Sequence, residues 1–130
     1  MRAPTLVAEA TRRSGVVWVT AGDAPPVLLW HLWHDDRMYV VGEGQEQPLP
    51  LTGGRALVTV RSKASQSDRV VEWCADVDVV APGTPAWQQV APLLAARRLN
   101  APDAFGQAER WARESTVLRF TPVAAGRSGT

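Results

Sequence analysis

Strict alternation from Arg69 to Val80 is the feature that most restricts what this chain can become. Val71, Trp73, Ala75, Val77 and Val79 fall on one face of an extended strand, and Glu72, Cys74, Asp76 and Asp78 on the other. Such a strand belongs to a sheet with one side on a core. Other strand signals precede it. Gly15 to Ala21 is β-branched and aromatic and ends in the turn residues Gly22-Asp-Ala-Pro-Pro26. Val27 to His34 reads as a second strand, Asp35-Asp36-Arg37 as a tight reversal, and Met38 to Val41 as the third strand of a hairpin. Residues 42–54, rich in Gly and Pro, form a loop, and Arg55 to Lys63 resumes as strand.

Helical signals lie at the ends. Leu6, Val7 and Ala10 share a face of a short first helix stopped by Gly15. Thr84 and Pro85 suit the N-cap and first position of a helix carrying Trp87, Val90, Leu93 and Leu94, which Pro92 should kink or split. Asp103 to Ser115 reads as a further amphipathic helix and Thr116 to Thr121 as a last strand. The expected fold is α+β, mainly β: a six-stranded antiparallel split β-barrel with flanking helices. One domain is expected over residues 1–122, with a flexible tail at 123–130.

Composition narrows the function. With 130 residues, 45% of them hydrophobic and 21% charged, the chain has the material for a core of its own. A net charge of +1 offers no electrostatic footprint for generic nucleic-acid or anionic-membrane binding. A single cysteine leaves no internal disulfide framework and no multi-cysteine metal site. No apolar run reaches a membrane span of about 18 residues and no signal-peptide core opens the chain, so a cytoplasmic location is expected. Lys63 is the only lysine among 14 basic residues, a bias that suggests a GC-rich bacterial source. Six tryptophans are more aromatic surface than one small core readily hides, which points to an interface and to a homodimer.

The chemical motifs are few. His31 and His34 lie on opposite faces of their strand, so they do not chelate one ion. Gly42-Glu-Gly44 lacks the third glycine, the following helix and the βαβ unit of a dinucleotide loop. Cys74 sits between Glu72 and Asp76, whose charge disfavours a thiolate. Thr59, Arg61 and Lys63 share one strand face beside a polar loop, which suits either a phosphate grip or a solvated strand end.

The order of these elements resembles the pyridoxamine 5'-phosphate oxidase-like split barrels, a superfamily of flavin- and deazaflavin-binding oxidoreductases. The resemblance runs from about Thr5 to Pro122. It rests on the first helix, the strand Gly15 to Ala21, the hairpin Pro26 to Val41, the polar loop, the strands Ala56 to Arg61 and Arg69 to Ala75, and the closing helix and strand Arg110 to Pro122. It implies a dimer holding FMN between two protomers and acting on a small-molecule substrate. Trp30, His31 and Leu32 would face the flavin ring, with Val40 and Val41 alongside. Gln45 and Gln47 would stand in the phosphate loop, and Arg61, Ser62, Lys63 and Arg69 would approach the phosphate or the pyrimidine edge. One departure stands out: the loop positions expected to be basic read Gln45-Glu46-Gln47. Either Arg61 and Lys63 take over the phosphate, or the cofactor is a deazaflavin, or the barrel binds no cofactor and serves a small ligand or a protein partner.

Overall fold

The computed structural model describes residues 5–44, 46–64, 67–97 and 104–123; side chains at 62–64, 67–69 and 104–108 lie outside the described set. The chain runs α1 (Thr5–Arg13), β1 (Val16–Thr20), β2 (Val27–Trp30), β3 (Leu32–His34), β4 (Arg37–Gly42), β5 (Gly54–Ala64), β6 (Ser67–Val80), α2 (Pro85–Arg97), α3 (Ala104–Glu114) and β7 (Thr116–Pro122). All strands pair antiparallel in one sheet of order β2-β1-β5-β6-β7-β4-β3. The two outermost strands of that order, β2 and β3, are separated in the chain by His31 alone, so the sheet curls until its edges meet there.

This is one strand more than expected, and the reason is a change of partner. Residues before His31 pair with β1, as in Val16↔Trp30, and residues after it pair with β4, as in Leu32↔Tyr39. Side-chain alternation runs through the corner undisturbed, so a sequence reading sees one strand where the hydrogen bonding makes two.

Alternation then sorts two cores. Val17, Val19, Leu29, Met38, Val40, Val58, Val60, Val71, Trp73, Leu118 and Phe120 point inside the curl, and α1 closes over them with Val7. Tyr39, Val41, Val80 and Val117 point outward and are covered by Trp87, Val90 and Leu94 of α2 and Trp111 of α3. Full burial of an aliphatic or aromatic side chain contributes about 1.5–3 kcal/mol over exposure, so both layers hold the sheet's curvature.

Two local expectations are corrected, and a third is narrowed, since Pro92 does not split its helix. In α1 the buried residues are Val7 and Thr11, whereas Leu6 is exposed, because the face turned to the sheet is centred one residue further round. At the end of β6, Val79 is exposed and Val80 buried. The inner face has run past the core by then, while the outer face has passed beneath the helices. Pro92 lies inside the continuous helix α2. It is exposed, and Gln88, whose carbonyl loses its helical donor, is exposed too, so water can take that hydrogen bond. Thr84 caps α2 as expected, its Oγ1 accepting from Trp87 N–H at 3.2 Å.

Candidate functional site

The corner at Trp30 and His31 leaves backbone groups without strand partners, and the side chains of Gln47 and Arg97 take them. Trp30 N–H donates to Gln47 Oε1 at 3.0 Å, and Gln47 Nε2 donates to Trp30 O at 3.0 Å and to Val41 O at 3.1 Å. Arg97, the last residue of α2, donates from Nε to His31 O. The His31 imidazole turns inward, fully buried, with Nε2 2.6 Å from Thr11 O. That carbonyl lies in the last turn of α1, where helical carbonyls lack intrahelical donors, so His31 caps the helix from inside the barrel. Thr11 Oγ1 accepts a second bond, from Trp73 Nε1–H at 3.1 Å. Burial lowers the His31 pKa from 6.5 to about 4; the Thr11 carbonyl opposes this and the nearby Arg97 charge adds to it. The imidazole is therefore neutral at pH 7, with Nε2 as the donor and Nδ1 buried without a partner.

Across the barrel wall, none of the described helices covers the apolar residues on the outer face of β2 and β1. Val16, Trp18 and Leu28 are 44%, 37% and 46% exposed there. Trp18 pairs with Leu28 on one side and with Thr59 on the other. In the next row of this platform Val16 pairs with Trp30, and Arg61 lies two residues beyond Thr59 on the same face of β5. Arg61 in turn pairs with the exposed Val70 of β6. Elsewhere on the outer face the arginines are matched: Arg55 with Asp76 at 2.8 Å and Arg119 with both carboxylate oxygens of Asp78. Among the described residues no carboxylate pairs with Arg61, which is exposed.

The residues singled out in the sequence are thus divided. Trp30 is half-buried where the helical layer meets the platform, and Leu32 packs under the same layer. His31, between them, faces the opposite side; the alternation that separates it from His34 separates it from its neighbours as well. Val40 and Val41 are fully buried, one inside the curl and one beneath the helices. Gln47 is drawn back onto the corner with its amide engaged there. Arg61 lies on the outer face, and the backbone register carries Ser62 opposite Arg69 and Lys63 opposite Asp68, while the side chains of Ser62, Lys63 and Arg69 lie outside the described residues. Gln45 also lies outside them. The sequence reading missed Thr11 and Arg97, whose roles depend on helix ends meeting a corner that only the folded sheet creates. Among the described residues no cluster of His, Cys, Asp or Glu could hold a metal ion, and no helix is long and apolar enough to cross a membrane.

Comparison with solved structures places this geometry among known barrels. HutZ, the heme storage protein from Vibrio cholerae, superposes with a TM-score of 0.67 over 96% of this chain and 93% of its own, at 13% identity. An FAD-binding protein from Mesorhizobium loti superposes with a TM-score of 0.55 over 94% of this chain and 91% of its own, also at 13% identity. The likeness is one of fold. No family model and no curated protein sequence matches the chain.

Proposed function

We propose that the chain is an FMN-dependent oxidoreductase of the pyridoxamine 5'-phosphate oxidase-like kind, acting as a homodimer on a small-molecule substrate. The observation that carries this reading is the outer platform: exposed Val16, Trp18 and Leu28 beside an arginine that has no acidic partner among the described residues. An apolar sheet face suits a flat ring and the flat face of a second copy, and an unmatched guanidinium at its edge suits a phosphate. The FAD bound by one structural neighbour supports a flavin, and FMN is the flavin that needs only one short anionic tail held. A bound flavin would supply the electron chemistry; the protein's part is to bind, orient and exclude water. Heme, the cargo of the other neighbour, is less well served, because His31 is buried against Thr11 and His34 packs beside Tyr39, ring centroids 6.4 Å apart.

One observation favours a second reading. Gln47 is occupied within the chain and its loop carries Glu43 and Glu46, so this segment brings no cation to a phosphate. The alternative is a dimeric barrel without a cofactor, binding a small ligand or a protein partner; a deazaflavin on the same platform is the third possibility. Arg61→Ala tests the first reading against the second. If Arg61 holds the phosphate, the variant binds FMN about ten- to a hundredfold more weakly, the loss of one charge-assisted contact, and riboflavin as well as before. Equal titrations of parent and variant with FMN would reduce Arg61 to a solvated strand end.

A further inference from the structure

We propose that Gln47 is a positioning residue for the platform: it fixes Trp30, and a bound ring feels it only through that tryptophan. The inference rests on the flavin reading. Its starting point is the gap in the sheet. Pairing of β3 with β4 ends at Leu32↔Tyr39, so Trp30 and Val41, the next residues on that face, are not joined to each other. The Gln47 side chain stands in this gap, with Oε1 on Trp30 N–H and Nε2 shared between Trp30 O and Val41 O. A primary amide offers the same acceptor and donor groups as a peptide unit, so it replaces the missing strand partner.

The loop is built to hold Gln47 there. Glu43 N–H donates to Gln47 O at 2.8 Å, and Gly42 and Gln47 form an isolated parallel bridge. Leu49 N–H donates to the Glu43 carboxylate at 2.9 Å, and Ser115 Oγ to Glu43 O at 3.1 Å. The reversal passes through left-handed backbone at Glu43 (φ 68°) and Gly44 (φ 63°). A side chain at Gly42 would run into Leu49 and the Gln47 carbonyl, so this approach needs glycine. Both Nε2 hydrogens of Gln47 are engaged inside the protein, which leaves none for a ligand. Trp30, by contrast, borders the platform next to Val16. Releasing its backbone moves the edge on which a ring would lie.

The test compares the parent with Gln47→Met, which keeps length but no hydrogen bond, and Gln47→Glu. A carboxylate accepts from Trp30 N–H but faces two carbonyl oxygens, and once protonated it donates to one of them. Two quantities are read: hydrogen exchange of residues 27–33 without ligand, and FMN affinity by fluorescence titration. At pH 7.5 both variants should exchange this segment at least roughly tenfold faster and bind FMN roughly tenfold more weakly. Relative to the parent at each pH, Gln47→Glu should recover part of both losses at pH 5, and Gln47→Met neither; general destabilisation would give no such profile. Faster exchange with unchanged FMN affinity overturns the proposal and makes Gln47 structural only. Weaker affinity with unchanged exchange overturns it too, because Gln47 would then touch the ligand. A parent without FMN affinity removes the flavin reading and this inference with it, a result visible before any variant is made.

Discussion

Trp73→Ala is expected to lower the stability of the fold by about 3–5 kcal/mol, the cost of deleting a large buried aromatic side chain. Trp73 is 6% exposed in the inner core, meets Trp33 edge-on with ring centroids 6.0 Å apart, and donates to Thr11 Oγ1. Its loss leaves a cavity beneath α1 and removes the donor to the fully buried Thr11 hydroxyl. Trp73→Phe keeps most of the packing and should cost about 1–3 kcal/mol, mainly for the orphaned hydroxyl. Urea unfolding of the three proteins measures both. A loss below about 1 kcal/mol for Trp73→Ala would mean that α1 is not seated on the barrel as described.

The second large effect is acid sensitivity centred on His31. Its pKa is about 4 in the folded chain and near 6.5 when solvated, so between those values the unfolded state binds the extra proton. Stability is therefore full above pH 6.5, falls as the pH drops towards 4, and has lost about 3 kcal/mol from this group at the bottom of the window. Protonation would put a charge in the core beside Arg97 and give Nδ1 a hydrogen with no acceptor. His31→Gln can still donate to Thr11 O but does not titrate. It should be less stable than the parent at pH 7.5 and show a shallower decline between pH 6.5 and 4.5. Parallel pH profiles for the two would show that other groups carry the acid response.

The sequence revealed the sheet better than its closure. Alternation in β6 sends Val71, Trp73, Ala75 and Val77 to one face, as read, and in β5 it buries Ala56, Val58 and Val60 opposite Thr59 and Arg61, because each residue's face depends only on its neighbours along the strand. The corner at His31 depends on which strands lie beside it, and nothing within Val27 to His34 announces a change from β1 to β4. The same limit hid the role of Gln47, which the resemblance had placed in the phosphate loop. Its residue type is unremarkable in a polar loop, and its role arises from a gap between strands brought together from distant parts of the chain. Arg61 was legible as an outward cation, since its strand face follows from alternation. That it has no acidic partner among the described residues, while Arg55 and Arg119 find aspartates, follows from cross-strand register, which alternation does not specify.

The proposal that the exposed face of β2 and β1 takes a flavin between two copies of the chain is tested most directly by sedimentation velocity of the purified protein with FMN, recorded at both protein and flavin wavelengths. A single boundary at the mass of a dimer, carrying flavin absorbance with it, is expected. A monomer boundary, with the flavin left behind as free FMN, would contradict it.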